Sequence, residues 1–82
     1  MVIIEYEPYF LKIVQKIKNN DLKEKVKKQL TKITDNPEIG KTMMHNRKGT
    51  REVYSSPFRL SYIYIKEENK IVFLELYHKD EQ

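Results

Sequence analysis

The sequence has no cysteine, so neither a disulfide framework nor a thiolate metal site supports it, and nothing in it points to an oxidising compartment. Its two glycines, Gly40 and Gly49, stand too far apart for a phosphate-cradling fingerprint. Its two histidines, His45 and His78, lack a third ligand at any familiar metal spacing. No apolar run approaches a membrane span, and Met1 leads directly into strand-like Val2-Ile-Ile-Glu-Tyr6 instead of a basic, signal-like start. These absences lead us to expect a cytoplasmic protein with no metal, no cofactor and no membrane partner. Repeats and low-complexity segments are missing too, and 82 residues make one domain, 1–82, near the lower limit for a self-sufficient core. Such a chain gains from a partner that supplies burial.

What is present centres on Arg51 to Lys79, which reads as three antiparallel strands: Arg51 to Tyr54, Phe58 to Ile65 and Ile71 to Lys79. Alternation puts Phe58, Leu60, Tyr62 and Tyr64 on one face of the central strand and Arg59, Ser61, Ile63 and Ile65 on the other. In the last strand, the same rule puts Val72, Leu74, Leu76 and His78 inward. Phe73, Glu75, Tyr77 and Lys79 then fall outward. The expected outer face is polar and cation-rich, with Arg59, Ser61, Glu75, Tyr77 and Lys79 together and Arg51 joining from the neighbouring strand. Ile63, Ile65 and Phe73 would form an apolar patch there.

Upstream, Val2 to Tyr6 reads as a short strand that joins this sheet. Glu7-Pro8 opens a helix with the stripe Phe10, Ile13, Val14 and Ile17. After Asn19-Asn20, Asp21 and Glu24 have capping-box spacing for a second helix, striped by Leu22, Val26, Leu30 and Ile33 and ended by Asn36-Pro37. The fold class is therefore α+β: an N-terminal strand, an antiparallel helical hairpin, and a three-stranded antiparallel meander in one sheet with the helices on one face. Between Pro8 and Ile33 eight lysines oppose two acids, in a chain of net charge +4, so Lys23, Lys27 and Lys28 are candidates to follow an RNA backbone. The irregular stretch Pro37 to Thr50 adds Arg47 and Lys48 as candidate phosphate contacts, whereas Met43 and Met44 read as core plugs.

The order strand, helical hairpin, basic loop, meander, together with Gly49-Thr-Arg-Glu-Val-Tyr54, Phe58-Arg-Leu-Ser-Tyr62 and Glu75-Leu-Tyr-His-Lys79, resembles the RelE/ParE family of toxins from type II toxin-antitoxin systems. The resemblance implies a ribosome-dependent messenger-RNA endonuclease that works without metal. In this chemistry a ribose 2′-hydroxyl attacks the adjacent phosphate, leaving a 2′,3′-cyclic phosphate and a free 5′-hydroxyl. It further implies Arg59 as the central phosphate-binding residue, flanked by Arg51 and Lys79. Many members carry a catalytic tyrosine in a further C-terminal segment that this sequence does not contain, so proton transfer would fall to Tyr77, His78, Glu75 or Lys79. Implied partners are a small RelB-like antitoxin, the ribosome and messenger RNA, with a toxin-antitoxin heterotetramer that contacts operator DNA through the antitoxin. Two other readings share the fold: a ParE-like inhibitor of DNA gyrase, and a catalytically empty relative that only binds its antitoxin. Without the resemblance, Arg59 with Glu75 and Arg51 with Glu52 or Glu67 would read as ordinary surface ion pairs.

Overall fold

The computed structural model describes residues 2–42 and 49–78, with His78 described by its backbone alone. Strand β1 (Ile3–Tyr6) runs into helix α1 (Pro8–Lys16) and then α2 (Asn20–Asp35). A two-residue strand β2 (Lys41–Thr42) precedes β3 (Thr50–Ser55), β4 (Phe58–Ile65) and β5 (Lys70–His78). The five strands form one sheet in the order β1-β5-β4-β3-β2, with β1 parallel to β5 and every other pairing antiparallel. This is the expected α+β class, with β2 added inside the stretch expected to be irregular. Among the described residues no helix is long and apolar enough to cross a membrane.

Proline at the first turn of α1 costs nothing there because its missing N–H would have no helical partner. The cap of α2 differs from the expected Asp21. Asn19 is extended, at φ −79° and ψ 122°, so its Oδ1 accepts the backbone N–H groups of Asp21 at 2.8 Å and Leu22 at 3.2 Å. Asp21 already has helical backbone and sits in the first turn, where its charge favours the helix dipole.

Phe10, Ile17, Val26 and Ile33 from the helices meet Phe58, Leu60, Tyr62, Ile71, Phe73 and Leu76 from the sheet to form the core. Phe73 is its hub: its ring stacks on Tyr6 at 5.4 Å and on Phe10 at 5.6 Å, and lies tilted to Tyr62 at 6.1 Å. Each such aromatic pair adds roughly 0.5–1.5 kcal/mol beyond the area it buries.

The position of Phe73 corrects the expected facing of β5. Ser61 pairs with Glu75 but Tyr62 pairs with Phe73, so Leu74 is an extra residue that shifts the strand's parity. Ile71 and Phe73 therefore point inward on one side of the bulge and Leu76 on the other. The expected outer patch loses Phe73, and Ile63 and Ile65 remain half-buried. Large apolar side chains are instead exposed on β1 and α1, at Ile3, Ile4, Tyr6, Tyr9 and Leu11, and at Ile39 and Tyr54.

Candidate functional site

Residues directly opposite one another in an antiparallel pair share a face. Tyr54 is opposite Arg59 and Arg59 is opposite Tyr77, which makes a row across β3, β4 and β5. The neighbouring row is Glu52, Ser61 and Glu75. Both rows lie on the face away from the Leu60 and Tyr62 core. There Tyr77 donates its hydroxyl hydrogen to Glu52 Oε2 at 2.9 Å, and Arg59 Nη1 lies 3.8 Å from Glu52 Oε1. One carboxylate thus joins a proton donor and a permanent cation.

This cluster is neither sealed nor fully open: 38% of the Arg59 side chain is exposed but only 12% of Glu52. Burial, then the hydrogen bond to Glu52 and its negative charge, push the Tyr77 hydroxyl above its ordinary value, with the Arg59 guanidinium acting the other way. Tyr77 therefore keeps its proton at neutral pH. Ser61 is fully buried in the same face, and its hydroxyl has no hydrogen-bond partner among the described residues.

Glu52 was not among the sequence's candidate site residues, although it stands next to one. Two signals were available: its parity, which matches Arg59 across the β3–β4 hairpin, and its position beside Arg51.

Arg51 does not join this face. It pairs with Tyr62, the buried central residue, and so lies on the helix side at the sheet's edge. Its Nη1 donates to the Glu38 carbonyl at 3.0 Å and the Gly40 carbonyl at 2.9 Å, and Nη2 lies 3.8 Å from Glu38 Oε2. Strand alternation is the reason: Arg51 shares parity with Val53, which packs against the core. Arg51 holds the loop that follows α2, and the expected flanking role at the Arg59 phosphate is corrected. Among the described residues Arg59 pairs with Glu52 and Arg51 with Glu38.

His78 pairs in register with Phe58, while Lys79, Arg47 and Lys48, together with Met43, Met44 and His45, lie outside the described residues. Lys27 and Lys28 are exposed on α2 and Lys23 is half-buried, and none lines the Arg59 cluster. Lys27 Nζ lies 3.7 Å from Glu24 Oε1, one turn away. A groove of about 660 Å³ extends from the cluster to the sheet's β2 edge and α2. Arg59 and Glu52 line it together with Tyr54, Ile39, Lys41 and Lys32. No group of three potential metal ligands occurs among the described residues.

A family model described as ParE toxin of type II toxin-antitoxin system, parDE, matches residues 4–82. No curated protein matches the chain in sequence. Among solved structures, the fold is similar to that in the intact Escherichia coli RelBE toxin-antitoxin complex, with 20% identity and a TM-score of 0.79 over 95% of this chain and 96% of that one. The RelBE2 toxin-antitoxin complex from Mycobacterium tuberculosis gives 19% identity and a TM-score of 0.81, covering 94% and 96% of the two chains. The YoeB dimer from Staphylococcus aureus gives 21% and 0.75, covering 94% and 97%. At such identities the likeness is one of fold.

Proposed function

We propose a function from the premise that this chain belongs to the ParE toxin family of type II toxin-antitoxin systems, whose model spans residues 4–82. The reading we favour is a metal-independent endoribonuclease that cuts messenger RNA on the ribosome. The observation that carries it is the Glu52, Arg59 and Tyr77 cluster, which brings together on one sheet face the three properties that 2′-hydroxyl attack on a phosphate requires.

Glu52 is the general base that takes the 2′-hydroxyl proton as the 2′-oxygen bonds to phosphorus. Arg59 neutralises the charge that builds on the phosphorane oxygens, and its planar fork suits two of them at once. The bond from phosphorus to the 5′-oxygen then breaks, and the leaving oxygen takes the Tyr77 proton. Glu52 and Tyr77 already share a 2.9 Å hydrogen bond, so the proton gained by the carboxyl returns to the phenolate and restores both groups. The products are a 2′,3′-cyclic phosphate and a 5′-hydroxyl. Lys79 remains a candidate for the same face, Lys79 and His78 for proton transfer, and Lys23, Lys27 and Lys28 for contact with ribosomal RNA.

The RelE relative and the RelBE2 relative were both solved in toxin-antitoxin complexes, and we extend that partnership to this chain as a small RelB-like antitoxin. The family description itself favours a second reading, inhibition of DNA gyrase by a ParE-like toxin. Primer extension on messenger RNA from cells expressing the protein separates the two. Codon-phased cuts that vanish in a folded Arg59→Ala variant support the nuclease. DNA-damage signalling without cuts supports the gyrase reading, and neither response leaves a binding-only relative.

A further inference from the structure

We infer that the groove between α2, β2 and β3 is a subsite for one nucleotide of single-stranded RNA, its base on the Tyr54 ring and its phosphate between Lys32 and Lys41. The inference rests on the nuclease reading for its place in the reaction but on the groove's own composition for its ligand. The volume of about 660 Å³ falls within the roughly 300–1,000 Å³ typical of small-molecule sites.

Charge selects an anion. Lys32, Lys41 and Arg59 reach the groove from three different elements, and the acid that lines it, Glu52, is already engaged by Tyr77 and Arg59. Lys41 is placed by the sheet itself: it pairs in register with Glu52, so both side chains leave the same face one strand apart. An anion at Lys41 therefore lies on the same face as the phosphate at Arg59, two strands away across β3.

The apolar part selects a base. Tyr54 is 53% exposed and Ile39 46% exposed, a flat ring and an aliphatic side chain left facing solvent within a basic groove. Tyr54 also stands directly opposite Arg59 in the β3–β4 pairing, which puts the ring beside the guanidinium that would hold the scissile phosphate. An aromatic side chain next to a cation suits a nucleotide whose base has left its neighbours, because bases inside a duplex are already stacked on one another. Tyr54, Lys32 and Lys41 take no part in the proton transfers, so their effects fall on binding and on sequence preference.

The test has one arm that requires no cleavage. Isotope-labelled protein is titrated with a dinucleoside phosphate whose 2′-hydroxyl is replaced by hydrogen, and backbone amide shifts are followed. Shifts that saturate at Lys32, Ile39, Lys41 and Tyr54, and disappear in Lys32→Gln/Lys41→Gln, support the subsite; shifts confined to other surfaces, or none, overturn it. In the second arm, programmed ribosomes are cleaved by Tyr54→Ala, for which KM should rise about tenfold with kcat within twofold of wild type, and by Tyr54→Phe, which keeps the ring and should restore KM. An unchanged KM in a folded Tyr54→Ala variant overturns the proposal. Groove shifts from a wild-type protein that cuts no RNA would remove the nuclease reading and leave the nucleotide site standing, and cleavage with a silent groove would do the reverse.

Discussion

Tyr62 and Gly40 hold each other in place across the top of the core. The Gly40 N–H donates to Tyr62 Oη at 2.9 Å, and the same hydroxyl donates to the Pro37 carbonyl at 2.7 Å. A Cβ at Gly40 would stand 2.8 Å from Tyr62 Oη, so only glycine admits this approach. Arg51, opposite Tyr62, grips the Glu38 and Gly40 carbonyls of the same loop. The two side chains together set where β2 begins, and with it Lys41 on the groove wall.

This clamp predicts coupled stabilities. Tyr62→Phe leaves a buried N–H without an acceptor and should cost about 1–3 kcal/mol. Gly40→Ala should cost about 1–3 kcal/mol through overpacking against that hydroxyl. Removing the hydroxyl relieves only part of the clash, since ring Cε1 stays 2.9 Å from the added Cβ, so the double variant should be less destabilised than the two costs added, by about 0.5 kcal/mol. Denaturant unfolding of the four proteins measures this, and simple additivity would rule the clamp out.

Ser61→Ala should stabilise the protein. A buried hydroxyl without a partner carries a desolvation cost of about 1–3 kcal/mol, and alanine removes it with little change in volume. The melting temperature should rise while cleavage remains. A lower melting temperature would mean that the hydroxyl has a partner or fills space that alanine cannot.

Glu52→Gln retains an acceptor for Tyr77 but cannot take a proton. Single-turnover cleavage on programmed ribosomes should fall about 10²- to 10⁴-fold. Thermal stability should move little, since the pair with Arg59 is long and partly solvated. Wild-type cleavage by the folded variant would place the base elsewhere.

High pH should weaken the fold through two tyrosines. Burial raises both Tyr62 and Tyr77 above the ordinary tyrosine value of about 10, so the folded protein binds their protons more tightly than the unfolded chain. The stability linked to them is complete below about pH 10 and is lost as pH rises through the higher folded values. Tyrosinate absorbance should show a late phase that shrinks in Tyr77→Phe. A titration unchanged by that substitution would contradict the assignment.

The α2 lysines should act in docking alone. Replacing Lys23, Lys27 and Lys28 with glutamine should weaken ribosome association and flatten its salt dependence, by about 0.7–0.9 in log–log slope for each phosphate no longer neutralised. Cleavage within an already formed complex should persist. An unaltered salt slope would take these side chains off the RNA.

Local pattern determined a good deal of this protein. Alternation in Phe58 to Ile65 assigned Arg59 to the face opposite Tyr62, the stripes on α1 and α2 identified the side that covers the sheet, and the Arg-Leu-Ser-Tyr run carried the resemblance to the family. Tertiary structure decided the rest. Period-two alternation states which residues of one strand share a face, but not where a neighbouring strand gains a residue. The bulge at Leu74 therefore turned Phe73 into the centre of the core against the expected parity. Arg51 went to the loop carbonyls because its strand faces the helices with Val53 inward. Glu52 met Tyr77 across β4, 25 residues away in sequence, because two strand registers brought them to one place and burial made their hydrogen bond worth forming.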